Sequence, residues 1–348
     1  MTKSTTKTNA GRFFEDYTVG EKIIHAVPRT ASGGERALYH AIYPARHAIY
    51  SSDVFAANCG LSRAPLDDLI AFHLVFGKTV PDISLNALAN LGYAEGRWLH
   101  PVYVGDTIKS ESDVIGLKQN SSGKSGVVWV RTRGINQDGV CVLEYVRWAM
   151  VRKRDLDLPA PQTVIPELAS VVAAKDLVVP KGLDFSGYDF ALAGEPHRLA
   201  DYEIGEKIDH VDGVTVEEAE HMMATRLWQN TAKVHFDTTQ RPDWSRLVYG
   251  GHVISMARAL SFNGLANAQM IVGLNGGAHA NPCTAGTTIR AWSEVLDKAS
   301  TSTPGVGAIR LRLVAVSSDV ADFPLKGADG RYLPSVLLDL DYWALMPE

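Results

Sequence analysis

The feature that most restricts how this chain can fold is that it repeats itself. The string Asp16-Tyr17-Thr18-Val19-Gly20-Glu21-Lys22-Ile23-Ile24-His25 returns as Asp201-Tyr202-Glu203-Ile204-Gly205-Glu206-Lys207-Ile208-Asp209-His210, with seven of the ten positions identical. Ser84-Leu85-Asn86-Ala87-Leu88-Ala89-Asn90 matches Ser261-Phe262-Asn263-Gly264-Leu265-Ala266-Asn267. Gly105 to Ile108 matches Gly286 to Ile289, Gly126 to Arg131 matches Gly307 to Arg312, and both copies close on Trp-Ala, at Trp148-Ala149 and Trp343-Ala344. The order is kept while the spacing drifts by short insertions, which is how a duplicated folding unit diverges in its loops. At 348 residues and roughly 150 per domain, two copies and a remainder account for the length. The expected units are residues 13–151 and 200–348. Between them, residues 152–199 carry Pro159, Pro161, Pro166, Pro180 and Pro196 without sustained periodicity, and read as an extended linker laid across the surface.

Each copy has the same internal grammar. An opening run leads to a short helix, which in the second copy is expected to start after Thr215, with Thr215 and Glu218 at capping-box spacing. A mainly apolar helix follows, near Asp67 to Phe76 in the first copy and Gly251 to Leu260 in the second. The pattern then switches to period two. Thr107 to Leu117, Gly126 to Ile135 and Val140 to Val151 predict three antiparallel strands joined by Asn-Ser-Ser-Gly and Gln-Asp-Gly turns. An apolar helix beside long antiparallel strands has to be buried against them, so the expected class is α+β, one antiparallel sheet wrapping one central helix in each unit.

Composition excludes several functions. With 34 basic and 39 acidic residues, a net charge of −5 and no basic run longer than Arg152-Lys153-Arg154, neither nucleic acid nor an anionic membrane is an expected partner. No apolar stretch is long enough to span a bilayer and the first residues lack a signal-peptide core, so a cytoplasmic protein is expected. Cys59, Cys141 and Cys283 are odd in number and lack CxxC spacing, and the eleven histidines show no HExxH; no disulfide framework or metal site is expected. The recurring Tyr17 and Tyr202, Trp148 and Trp343 read as core, and the Arg131-Thr132-Arg133 and Arg310-Leu311-Arg312 alternations as the solvated face of a strand.

A helix-then-meander unit with Pro101-x-x-x-Gly105-Asp106-Thr107-Ile108 entering the first long strand resembles the hot-dog fold of the MaoC-like dehydratases and (R)-specific enoyl-CoA hydratases, and two copies in one chain resemble a double hot-dog. Phe13 to Tyr17, Phe76 to Asn86, Gln229 to Phe236 and Tyr249 to His252 resemble the branch of that family acting on 2-methylfumaryl-CoA, over nearly the whole chain. The resemblance implies reversible hydration of an α,β-unsaturated acyl-CoA, here 2-methylfumaryl-CoA (mesaconyl-CoA) to β-methylmalyl-CoA, in acetyl-CoA or glyoxylate assimilation. Coenzyme A belongs to the substrate and no separate cofactor is implied. Alternatives are another short enoyl-CoA such as crotonyl-CoA, acyl-CoA hydrolysis, or acyl-CoA binding without chemistry.

The family motif Asp-x-Asn-Pro-x-His holds one water between an acid and a histidine. Its best match here is Asn230-Thr231-Ala232-Lys233-Val234-His235, in which only the histidine survives. The resemblance implies His235 as general acid/base and Asn230 orienting the water through an amide. On spacing alone His235 reads as a satisfied histidine on a half-buried face and Asn230 as a turn or cap residue. A carboxylate replacing the lost aspartate is sought at Asp237, Asp67 or Asp68; one of the latter two would also serve a thioesterase. The first copy offers Ala45 and Tyr50 at the Asn230 and His235 positions, so one active site is expected, in the second copy. Gly250 and Gly251 before an apolar helix suit a thioester oxyanion site, with His252 beside it. The free carboxylate or the coenzyme A is expected to meet Arg46, Arg226 or Lys233, which the sequence does not separate. A fused pair functions as a monomer or pairs again as a homodimer.

Overall fold

The computed structural model describes residues 7–348. Ten strands form one continuous sheet in the order β1-β3-β4-β5-β2-β7-β10-β9-β8-β6. The first five are β1 (Lys22–Thr30), β2 (Ala87–Trp98), β3 (Thr107–Gln119), β4 (Ser125–Ile135) and β5 (Cys141–Arg152). The second five are β6 (Lys207–Thr215), β7 (Met270–His279), β8 (Thr288–Ser300), β9 (Val306–Val316) and β10 (Val336–Pro347). The two halves of the order mirror each other and meet at an antiparallel seam, where Tyr93 pairs with Gly277 and Arg97 with Gly273. The expected α+β double hot-dog is the observed architecture, with the central strands closing the edge that each unit alone would expose.

Four helices matter for the site: α1 (Gly33–Ile42), α2 (Asp68–Thr79), α3 (Glu218–Leu227) and α4 (Gly250–Leu260). Every residue of α2 is buried, as are all of α4 after Gly250. That explains their apolar circumference, since each is covered by its sheet on one side and by the other half on the other. His73 of α2 places Nε2 2.8 Å from Ser255 Oγ of α4, and its ring stacks on Trp228 at 4.8 Å. One apolar cluster runs through both halves, including Phe72, Tyr145, Ile254 and Leu311. Phe72, Ile254 and Leu311 each contribute roughly 1.5–3 kcal/mol on burial.

Duplicated clasps fix how the halves correspond. Tyr17 Oη reaches the Asp82 and Ile83 carbonyls, and Tyr202 Oη the Gly264 carbonyl. His25 bridges Asp82 and Ser112, as His210 bridges Asn263 and Ser293. Gly92 and Gly273 each lie under a tryptophan, Trp148 and Trp343, where a Cβ would collide or crowd. Asp82 therefore corresponds to Asn263, and the match of Ser84–Asn90 with Ser261–Asn267 is out of register. The shared letters lie in different places: Ala87 opens β2, while Phe262–Leu265 is a helical turn. Thr215 does not cap α3 either. It ends β6 with its hydroxyl 2.8 Å from that of Thr288, and Glu217 precedes the helix without a side-chain cap.

The segment between the halves is largely irregular, but it is not confined to the surface. Val172, Leu183, Phe185, Tyr188 and Ala193 are buried against Ile49, Tyr50, Phe55, Met270 and Val272. The paired arginines on β4 and β9 lie on the sheet's partly exposed face in ion pairs, Arg131 with Glu95, Arg133 with Asp113, Arg310 with Asp341 and Arg312 with Glu294. Burial pushes the thiols of Cys59 and Cys283 up to about 12 and about 11, which removes them as nucleophiles at neutral pH. No helix among the described residues is long and apolar enough to cross a membrane.

Candidate active site

A cleft of about 360 Å³ opens at the N-terminus of α4, and both halves build it. The second half supplies Asn230, His235, Gly250 and His279; the first supplies Phe76 and Arg147 among others. The sequence placed the site in the second copy, whereas the cleft lies between the copies.

His235 ends a 3-10 turn, Lys233–His235. Its Nδ1 lies 2.8 Å from the carbonyl oxygen of Leu247. A carbonyl can only accept, so Nδ1 carries the ring proton and Nε2 keeps its lone pair. The amide of Leu247 returns a 3.0 Å bond to the Val234 carbonyl, locking the turn to the irregular segment that enters α4. Desolvation pushes the imidazole down to about 4, against the bond to Leu247 and with a small push from His221. His235 is therefore a neutral base at physiological pH.

Asn230 is buried and follows Gln229, whose φ of 56° turns the chain left-handed. Its Oδ1 accepts the Ala232 amide at 3.1 Å, an Asx turn that shapes the loop carrying His235. That geometry commits Oδ1 and leaves the amide nitrogen as the group Asn230 can offer the cleft.

Tyr249 gives α4 no side-chain cap, and of the first-turn N–H groups that of His252 bonds the Tyr249 carbonyl at 2.8 Å. Gly250 lines the cleft at that turn. Its missing side chain has a second cause besides ligand approach: a Cβ would come 2.4 Å from Cε1 of His279, and one on Gly251 would come 2.4 Å from Cζ of Tyr249. His252 leaves the group. It is fully buried, with Nδ1 3.2 Å from Tyr43 Oη and Nε2 3.2 Å from Glu220 Oε1, and it does not line the cleft.

The candidate carboxylates do not meet His235. Asp237 is half-buried and caps its own turn through Thr239 and Gln240. Asp67 caps α2 through the Leu69 amide, and Asp68 accepts from Tyr50 Oη and the Ile271 amide. Burial raises Asp67 to about 6 and Asp68 to about 8. Of the candidate cations, Arg46 lies over the Phe262 ring at 4.5 Å and Arg226 bonds back to the Met222 carbonyl. Lys233 is exposed. None of the three lines the cleft.

Among the polar residues of the cleft that the sequence reading missed, three bear on its chemistry. His279 lies at the end of β7 with Nε2 3.2 Å from Tyr93 Oη, and burial first, then repulsion from His235 once that ring is protonated, hold it down at about 4. Asn90 of β2 presents an amide whose oxygen and nitrogen are both buried without a partner. Arg147 of β5 is fully buried and lies over Phe76 at 4.3 Å. Arg147 shares the buried face of its strand with Tyr145, Ala149 and Val151, and a lone charge on an apolar face is the available signal; nothing local marks His279 or Asn90.

The family described as mesaconyl-CoA hydratase matches residues 1–321. The chain is 74% identical over 341 residues to "Mesaconyl-CoA hydratase" of Cereibacter sphaeroides, covering 98% of this chain and 99% of that protein. It is 56% identical to "Beta-methylmalyl-CoA dehydratase" of Chloroflexus aurantiacus, covering 98% of each. A solved structure of a MaoC domain protein dehydratase from Chloroflexus aurantiacus superposes with a TM-score of 0.97 at 55% identity over 99% of both chains.

Proposed function

This chain belongs to the mesaconyl-CoA hydratase family, and from that premise we propose that its cleft reversibly adds water to 2-methylfumaryl-CoA, giving β-methylmalyl-CoA, with His235 as the acid/base. The observation that carries the assignment of the chemistry is the Nδ1–H bond from His235 to the Leu247 carbonyl, which leaves a basic Nε2 at the cleft.

The steps follow from that geometry. The Asn230 amide donates to a water and turns a lone pair toward the β-carbon. Nε2 takes a water proton as the oxygen attacks, and the double-bond electrons move to the thioester oxygen. The first-turn amide of α4 at Gly250 meets the developing negative charge with the positive end of the helix, while Gly251, which does not line the cleft, only keeps that turn close-packed. The α-carbon then takes the proton from the imidazolium, which restores His235. Because burial disfavours the imidazolium, that proton is returned readily. The reaction needs no metal or cofactor beyond the coenzyme A of its substrate.

The buried Asp67 and Asp68 offer no carboxylate at this cleft for hydrolysis. The three free cysteines suit a reducing cytoplasm, and the substrate suits a place in glyoxylate assimilation. With purified protein and 2-methylfumaryl-CoA, enoyl-thioester absorbance should fall with no free thiol released. Thiol release with the double bond intact would replace hydration by hydrolysis.

A further inference from the structure

A buried arginine usually has a carboxylate, and Arg147 has none. Its side chain is fully buried and lines the cleft. One terminal nitrogen donates to Thr79 Oγ1 at 2.8 Å, and both lie 3.4 Å from Ser84 Oγ. Nε is buried with no acceptor at all. An arginine side chain keeps its charge in proteins, and stripping water from an ion costs several kcal/mol that hydroxyl oxygens and one aromatic face recover only in part. The groups that feel its charge are the phenols of Tyr17, Tyr93, Tyr145 and Tyr249, none of them an anion at neutral pH.

The other half shows what a purely structural buried arginine looks like. Arg258 of α4 lies 5.9 Å from the Tyr342 ring, an inversion of the Phe76 and Arg147 pair between helix and strand. Its guanidinium is bound by the carbonyls of Ala268 and Gln269 and by Ser261 Oγ, and its charge reaches Asp67 and Asp68. Arg258 is satisfied from within, whereas Arg147 has spare donors on the cleft wall. Asn90, with both amide atoms unpartnered, lines the same cleft.

We propose that Arg147, assisted by Asn90, binds the free carboxylate of a dicarboxylic acyl thioester and is the residue that selects such substrates over neutral enoyl-CoAs. The proposal rests on the acyl-CoA reading above. The guanidinium fork meets a carboxylate through two parallel bonds, and the bound anion supplies the missing counter-charge. A neutral acyl chain of the same length leaves the guanidinium as unpaired as before, which is the source of the discrimination.

The test uses unreactive ligands, so that binding is read apart from turnover. Methylsuccinyl-CoA and 2-methylbutanoyl-CoA share a branched four-carbon acyl chain and differ in a carboxylate against a methyl group. Calorimetry on the wild type should favour methylsuccinyl-CoA by at least about tenfold, on the scale of one charged hydrogen-bond pair. Arg147→Met should abolish or reverse that preference while binding 2-methylbutanoyl-CoA within about threefold. Arg147→Lys, which keeps a charge but loses the fork, should fall between, and the melting temperatures of both variants report whether the fold survives. A wild type without preference, or an Arg147→Met protein that keeps it, overturns the assignment. A wild type that discriminates in binding yet does not hydrate 2-methylfumaryl-CoA would sink the hydratase reading and leave Arg147 in its role.

Discussion

The two halves hold the same helix against the same sheet, yet one helix start is open and the other is closed. At the start of α4 lie Gly250, His235 and a cleft of about 360 Å³. At the start of α2 lies Asp68, bonded to Tyr50, and the space left there is about 10 Å³, room for at most one water. The linker completes the closure, with Val178 and Pro180 lining that remnant. The lesson is that duplication makes two equivalent positions, and a tyrosine, a carboxyl group and a covering segment are enough to convert one of them into core.

The most direct way to break this comparison is at the two aligned positions. His235→Ala should lower turnover on 2-methylfumaryl-CoA at least about a hundredfold, a typical loss for an acid/base group. Tyr50→Phe should leave turnover within about twofold. Loss of activity in the second variant, measured by enoyl absorbance, would mean that the closed half still takes part in chemistry.

Gly250→Ala sharpens the contrast between the helix starts. The added methyl group enters the His279 ring, so the variant should lose stability by about 1–3 kcal/mol and activity by more than tenfold. Denaturant titration beside the rate assay checks both. Tyr50→Phe in turn leaves Asp68 short of a donor and should cost about 1–3 kcal/mol. An unchanged melting temperature would show that the Tyr50 bond does not hold the closed site together.

The pH dependence separates the halves by sign. His235 and His279 have folded values near 4, below the ordinary 6.5. Their unfolded forms bind more protons between those values, so they contribute stability above pH 6.5 that is lost as pH falls toward 4. Asp68 is raised from 3.8 to about 8. Its folded form binds more protons, so its contribution is lost as pH rises through about 8. Asp68→Asn, which keeps a neutral acceptor for Tyr50 and Ile271, should flatten the decline in melting temperature between about pH 4 and pH 8 and leave hydration within about twofold. An identical decline over that range would remove Asp68 from that account, and the smallest of these effects with it.

Much of this was legible because period and repetition are local properties. The strands expected at Thr107 to Leu117 and Gly126 to Ile135 are β3 and β4 to within a few residues, and the all-round apolar helices are buried on all sides. His235 and Asn230 could be found because they lie on one short loop. The Ser84 and Thr215 readings failed for a related reason: letters that match in a string do not show whether the chain there is a strand, a turn or a helix. Arg226 and Lys233 lie near the motif along the chain and Arg46 near its counterpart in the first copy, but the cation lining the cleft comes from β5 of the other half.

The amino-acid sequence by itself determined that this protein is two copies of one helix-and-sheet unit, with its one motif histidine in the second. Repeated residues and hydrophobic periodicity act over a few turns or strands, so they survive reading in one dimension. Only the tertiary structure decided which helix start stays open, which tautomer His235 holds, and that Arg147 lacks a counter-ion. Those depend on what comes to lie against each group in space, across a seam that the linear order of residues does not contain.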